Sequence, residues 1–303
     1  MSEPAARVRG HDFVRRHRIL RRLHEWLLVT RFNRPIGAWL LLWPVLWALW
    51  LAGDGKPNAR LFVIFVAGTF LMRSAGCIIN DFFDRDIDPH VQRTRDRPLA
   101  ARRMGPGEAL ILFAVLVAAA FALVCQLNTL AFKLSFVGAG LTISYPLFKR
   151  FFPAPQLYLG LAFGWGVPMV FAAHLGAVPR VGWLLLFVAI VWAAIYDTQY
   201  AMVDRGDDRR IGVHSTALLF GDMDRVAIGL LQAMMLFGLV LAGRSMLFGR
   251  WYQLGLVAAA AFFLYQQWLI RNRESEPCFR AFLNNNYVGM AVFSGILLDY
   301  QFR

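Results

Sequence analysis

Charge is scarce in this chain. Only 17% of its 303 residues are Asp, Glu, Lys or Arg, and acids are scarcer than bases, 19 against 32. Ordinary soluble domains carry about 25% charged residues. There are three cysteines, Cys77, Cys125 and Cys278, far apart and two of them inside apolar runs. An odd count at such spacing excludes a disulfide framework and a cysteine metal site, and leaves them as small packing residues. The six histidines form no cluster and no glycine-rich phosphate loop is present, which sets aside zinc-type and P-loop chemistry. A cleavable leader is not expected either. The first apolar window starts near residue 35, behind an arginine-rich stretch.

What the chain has instead is apolar length. It is 58% hydrophobic, with a mean hydropathy of +0.49 and 26 Phe and 10 Trp. Windows of about 18–22 residues with almost no charge are long enough to cross a bilayer. Nine spans are predicted, at 35–53, 60–83, 107–126, 128–148, 156–174, 181–203, 224–243, 251–270 and 282–301. Residues 1–34 read as a separate segment. Arginines there interleave with Val14, Ile19, Leu20, Leu23, Trp26 and Leu27, a pattern that predicts a basic amphipathic helix on the membrane surface.

The formal net charge of +13 invites a nucleic-acid reading, but its distribution argues otherwise. With the N-terminus inside, the inner segments carry 24 Lys and Arg and the outer segments six. That bias is the positive-inside rule, and it accounts for the basic pI without nucleic acid.

Two acidic stretches stand at span ends on the same, cytoplasmic side of this topology. The first is Asn80-Asp81-Phe-Phe-Asp84-Arg-Asp86-Ile-Asp88. If its helix continues, Asp81, Asp84 and Asp88 share one face. In the second, Asp197, Tyr200, Asp204 and Asp208 recur at i, i+3, i+7 and i+11, again one face. Carboxylates so grouped repel one another unless a cation lies between them. Oxygen-only ligands suit Mg²⁺, which is usually shared with substrate phosphate. Two opposed sets are expected to hold Mg²⁺ on a diphosphate and stabilise its departure. Arg93, Arg97, Lys149, Arg209 and Arg210 are the candidate diphosphate-binding cations. Acids buried in a membrane also serve cation- or proton-coupled transporters. That alternative calls for acids near mid-span on broken helices, whereas these lie at helix ends next to basic loops.

Asn80-Asp81-x-x-Asp84-x-x-x-Asp88 and Tyr200-Ala-x-x-Asp204-x-x-x-Asp208 resemble the two signature motifs of the UbiA superfamily of intramembrane prenyltransferases. The similarity covers nearly the whole chain. It includes Arg34-Pro35-Ile36-Gly37, Arg97-Pro98-Leu99 and Tyr145-Pro-Leu-Phe-Lys149-Arg150. Asp197-Thr-Gln-Tyr-Ala-Met-Val-Asp204 and Ile211-Gly-Val-His-Ser215-Thr216 are similar to the 4-hydroxybenzoate polyprenyltransferase branch.

The resemblance implies an all-α bundle of nine transmembrane helices over 35–303, around a central cavity with cytoplasmic-side capping loops. It implies a bacterial inner-membrane enzyme of ubiquinone synthesis whose partners are polyprenyl diphosphate, 4-hydroxybenzoate and lipid. The ring would be alkylated meta to its carboxylate. Asn80, Asp81, Asp84, Asp88, Asp204 and Asp208 would ligate Mg²⁺, and Lys149 would contact diphosphate. Arg150, Tyr145 and Tyr200 would meet the aromatic acceptor, with Asp197 at the phenol. A naphthoate, haem or chlorophyll-type acceptor is the runner-up within the fold. His214 departs from the branch, which has lysine before Ser-Thr; a histidine neutral near pH 7 adds less positive charge there.

Overall fold

The computed structural model describes residues 19–91, 93–148, 152–211 and 214–302, and among them it is helical with no strand. A surface helix, α1 (19–29), precedes α2 (Ile36–Ala52), α3 (Ala59–Asp84), α4 (Pro106–Val124) and α5 (Thr129–Phe148). The next span is broken into α6 (Pro155–Gly164) and α7 (Gly166–Leu175). Pro168 has no N–H for the Gly164 carbonyl, so the break falls one turn before the proline. Then come α8 (Arg180–Ile211), the short α9 (Thr216–Phe220), α10 (Asp224–Ser245), α11 (Arg250–Leu269) and α12 (Ser275–Phe302). Eight segments among the described residues are long and apolar enough to cross a membrane, and the 17-residue α2 is the shorter ninth. Each of the nine expected spans thus coincides with apolar helix, eight of them of spanning length. The basic segment 1–34 enters this description only from residue 19 onward.

In hydrocarbon the drive to pack comes from close contact and shared hydrogen bonds, since lipid is as apolar as leucine. Small residues supply the contact. A Cβ on Gly255 would lie 2.8 Å from the Ala291 carbonyl and 2.9 Å from Gly295 Cα, so α11 and α12 touch backbone to backbone there. The fully buried Trp47 and Trp192 stack at 5.3 Å between centroids. Their indole N–H groups donate to Gly289 O at 3.2 Å and Asn285 Oδ1 at 3.0 Å, which ties α2 and α8 to α12. A buried amide chain adds to this: Asn285 donates to Gln199 (2.7 Å), and Gln199 and Gln232 both donate to Gln266 (3.0 and 3.1 Å). It links α8, α10, α11 and α12 at the level where α8 carries its acids.

At the motif-bearing end a smaller core forms. Val29, Ile78, Leu99, Met104 and Ala109 bury together, which seats α1 and the 85–105 loop on α3 and α4. Ion pairs fasten the rim, Arg103 to Glu25 at 3.0 Å and Arg22 to Glu108 at 2.7 Å. Across the molecule, fully buried Asp224 accepts from both Arg205 and Arg273, fixing the α8 end to the start of α10 and the α11–α12 turn.

Candidate active site

The first acidic motif does not stay on one helix. α3 ends at Asp84, and Asp88 opens a separate 3₁₀ turn, Asp88–His90. Pro89 has no N–H for the Arg85 carbonyl, so the helix cannot run through it. The single-face expectation for Asp81, Asp84 and Asp88 is thus replaced by a folded-back turn, with all three carboxylates buried. Arg97 holds the turn in place. Its Nη1 donates to Asp81 Oδ1 at 3.0 Å and to Asp88 Oδ2 at 2.9 Å. Arg31, from the turn after α1, donates to both oxygens of Asp81 at 2.8 and 2.7 Å. Asn80 donates to Asp84 at 3.0 Å.

The second motif remains helical as expected, since α8 runs without interruption through Asp197, Tyr200, Asp204 and Asp208 to Ile211. Arg93, from the first capping loop, reaches across to it. Its Nε donates to Asp204 Oδ1 at 3.0 Å, another of its nitrogens meets the Tyr200 hydroxyl, and its guanidinium lies 4.3 Å from the Tyr200 ring centroid. The loop that follows the first motif is thus fastened to the second through Arg93.

Electrostatics in the loop follow from this crowding. Burial pushes the Asp88 carboxyl above its ordinary value, and the charges of Asp81 and Asp84 add to the effect against the pull of Arg97. For Arg97, burial opposes the charged form, but Asp81 and Asp88 outweigh it and raise the guanidinium further. Burial likewise opposes Arg93, and Tyr200 and Asp204 reverse it.

Below the motifs lies a cavity of about 450 Å³. Its lining combines Asn80, Asp81, Arg93 and Arg97 from the motif-bearing end with Arg73, Asp197, Tyr145, Tyr196 and Tyr200, and with the apolar Leu40, Leu41, Met72, Leu159, Phe163 and Phe282. Arg73 was not among the residues expected from sequence, although a lone arginine within a span marks function by default. Its guanidinium contacts Cys77, and its buried Nε meets no acceptor among the described residues. Arg31 was likewise missed, read only as one more basic residue of the N-terminal segment.

Other expected residues fall differently. Arg209 and Arg210 are exposed and lie outside the cavity wall, because the last turn of α8 projects beyond it. Lys149 and Arg150 lie outside the described residues. Asp208 is half-buried on the Asp204 side of α8, and Asp86 is exposed. His214 is exposed.

Among the described residues no three His, Cys, Asp or Glu side chains converge as a metal site; guanidinium groups sit where a cation would. The donor set nonetheless fits Mg²⁺. It is all oxygen and carboxylate-rich, and it groups the buried Asp81, Asp84 and Asp88.

Carboxylates at the ends of two spans, beside a cavity lined by charged, polar and apolar side chains, define a membrane enzyme for a lipid-tailed anionic substrate. The chain belongs to the UbiA prenyltransferase family, whose profile matches residues 41–290. It is 56% identical over 278 residues to a 4-hydroxybenzoate octaprenyltransferase of Alkalilimnicola ehrlichii, covering 92% of this chain and 95% of that one. It is 54% identical over 284 residues to the enzyme of the same name from Methylococcus capsulatus, covering 94% and 97%. Among solved structures, the UbiA homologue from Aeropyrum pernix K1 superposes with a TM-score of 0.76 at 25% identity, over 88% of this chain and 98% of that one. The homologue from Archaeoglobus fulgidus, bound to GPP and Mg²⁺, shares the fold with a TM-score of 0.63 at 17% identity, over 89% and 99%.

Proposed function

We propose that this protein transfers a polyprenyl group from polyprenyl diphosphate to the ring carbon of 4-hydroxybenzoate meta to the carboxylate, releasing diphosphate, in ubiquinone synthesis. The reading places it in a bacterial inner membrane with the site toward the cytoplasm. The cavity supports it, because one space is lined by arginines, acids, tyrosines and apolar side chains together. The named relatives, at 52–56% identity over nearly the full chain, support the acceptor.

Asn80, Asp81, Asp84 and Asp88 on one side, and Asp204 and Asp208 on the other, would hold Mg²⁺. When bound, it supplies charge neutralisation for the departing diphosphate. Arg93 and Arg97 bind the diphosphate oxygens from the loop, and guanidinium forks suit that geometry. The tail lies along Leu40, Leu159 and Phe163 and leaves toward lipid, since 450 Å³ is too small for a long polyprenyl chain together with an acceptor. Arg73 receives the carboxylate of the aromatic acid, a role that sequence reading had given to Arg150. Asp197 accepts the phenol hydrogen bond, which raises electron density at the ortho carbon. Tyr145, Tyr196 and Tyr200 present their rings to the developing allylic cation. The allylic C–O bond breaks with its electron pair on diphosphate, the ring carbon forms the new C–C bond, and the ring proton passes to the released diphosphate.

The test is product formation from geranyl diphosphate and 4-hydroxybenzoate in detergent, with and without Mg²⁺, for the wild type, Asp81→Ala and Asp204→Ala. Magnesium-dependent C-prenylation that both variants lose is expected. Diphosphate release with no ring alkylation would move the acceptor elsewhere in the family.

A further inference from the structure

Glycine weakens a helix relative to alanine, so a glycine inside a spanning helix calls for a reason. The usual reason in a membrane is the close approach of a second helix. A Cβ on Gly160 would lie 2.8 Å from the Ile190 carbonyl oxygen, and Gly255 meets α12 in the same way. Gly76 of α3 has no such neighbour. Among the described residues, a Cβ there would have one atom from beyond its own stretch of helix within 4 Å, the Thr142 methyl of α5 at 3.8 Å. That is an ordinary contact. The open side is the cavity, which Gly76 and Thr142 both line.

The register of α3 fixes which part of the cavity this is. Arg73, Gly76, Cys77, Asn80 and Asp81 all line it, at i, i+3, i+4, i+7 and i+8, which is one face of the helix. Gly76 thus lies between Arg73, which receives the carboxylate of the aromatic acid in the reading above, and Asn80 and Asp81, which would hold Mg²⁺ beside the diphosphate. The Arg73 guanidinium does not cover it. Its tip packs against Gly37 and Cys77, and none of its atoms comes within 4 Å of the Gly76 Cβ position. Thr142 spends its hydroxyl on the Gly138 carbonyl, donating at 2.9 Å. What borders the cavity at this point is a bare Cα and a methyl group.

We propose that Gly76 is a specificity-determining residue: the side chain it lacks is the space in which the face of the aromatic ring lies, between the carboxylate at Arg73 and the carbon that meets the prenyl group. This rests on the functional reading above and names what that reading left open, the wall that limits the acceptor ring. Gly76→Ala adds a methyl group that the protein itself accommodates at 3.8 Å. Alanine also favours the helix. The substrate alone meets the obstruction.

The experiment measures thermal unfolding and steady-state kinetics, with geranyl diphosphate and 4-hydroxybenzoate varied in turn in the presence of Mg²⁺. It compares the wild type, Gly76→Ala, Gly76→Val and, as a control, Gly68→Val. Gly68 lies about two turns earlier on the same helix; a Cβ there meets nothing within 4 Å, and it does not line the cavity. Gly76→Ala is expected to raise KM for 4-hydroxybenzoate about tenfold, the lower end of what one carbon changes in a fitted pocket. Its melting temperature should be unchanged or higher, and KM for geranyl diphosphate unchanged. Gly76→Val is expected to raise KM for the acid further, and Gly68→Val to match the wild type. A rise in KM for geranyl diphosphate instead would put the prenyl stem over Gly76 and overturn the inference. Equal losses for both substrates with a lower melting temperature would make Gly76 a packing residue and overturn it too. If Gly76→Val does not fold, the alanine variant decides, and a wild-type KM for the acid in that variant overturns the inference alone. Wild-type protein that forms no alkylated ring overturns the parent reading and this inference with it.

Discussion

Arg31 clasps Asp81, with Nη2 at 2.8 and 2.7 Å from the two carboxylate oxygens. The contact joins a surface helix to the first motif across fifty residues, and it places a fixed positive charge where the proposed reaction needs a divalent one. Asp81 is buried and Arg31 mostly so. Arg97 shares the carboxylate, so loss of Arg31 leaves one of its two partners. Breaking a buried pair outright costs about 3–5 kcal/mol, and the shared carboxylate keeps this case toward the lower figure. Arg31→Gln is expected to lower the melting temperature of the metal-free protein and to enlarge the stabilisation that Mg²⁺ confers, because a competing cation is gone. Thermal unfolding with and without Mg²⁺ checks both. An unchanged metal response would mean that Arg31 and the metal do not share Asp81.

Asp88 yields a prediction with the opposite sign. Its pKa is raised above 3.8, chiefly by burial. A carboxyl whose folded pKa exceeds its unfolded value contributes stability that is present below the unfolded value and lost as pH rises through the folded one. From about pH 3.8 upward, then, the metal-free fold is progressively strained by ionising Asp88. Asp88→Asn is expected to make the metal-free protein more heat-stable at neutral pH while abolishing much of the Mg²⁺-induced gain. In the wild type, metal affinity should fall as pH drops through the raised pKa, since proton and metal compete. Calorimetric titration of Mg²⁺ across pH measures it; a flat profile, or a destabilised asparagine variant, would contradict the account.

The extent to which the site was legible beforehand depended on how local each signal was. Spans and acid motifs could be read because apolar length and carboxylate spacing belong to contiguous residues. The break at Asp84 was available in Pro89 but was overridden by the helical pattern of the acids. Arg31 and Arg73 were visible as letters and not as site residues. Their meaning is a tertiary one: a charge 50 positions upstream folded onto Asp81, and a mid-span charge aimed into a cavity that exists only once α2, α5, α6 and α8 surround it. Arg209 and Arg210 illustrate the converse. They follow the motif directly in sequence, yet one further helical turn carries them out to the exposed surface.

Arg93 reaches the second motif from the first capping loop, through Asp204 and Tyr200. A lysine there would retain charge but lose the planar fork that contacts both. Arg93→Ala and Arg93→Lys are each expected to raise KM for the prenyl diphosphate about tenfold or more, the scale of a lost charge-assisted hydrogen bond. KM for 4-hydroxybenzoate should hardly change. Steady-state kinetics with each substrate varied in turn separates the two. Full activity in the lysine variant would reduce Arg93 to a point charge.

The acceptor end of the cavity can be tested without removing any charge at all. Gly37 on α2 packs against the tip of Arg73, and a Cβ built on Gly37 would stand 2.5 Å from one guanidinium nitrogen and 2.6 Å from Nε. The obstacle is the far end of a flexible side chain, so Gly37→Ala is expected to fold normally, with the guanidinium displaced. If Arg73 receives the carboxylate of the aromatic acid, that displacement should raise KM for 4-hydroxybenzoate while sparing the prenyl diphosphate. Arg73→Met should do the same more severely, by about 1.5–3 kcal/mol of binding, the range for a hydrogen bond to a charged group. A phenol lacking the carboxylate should be used equally well, or equally poorly, by the wild type and both variants. Equal losses for 4-hydroxybenzoate and for that phenol would show instead that Gly37 and Arg73 shape the cavity wall and do not read the carboxylate.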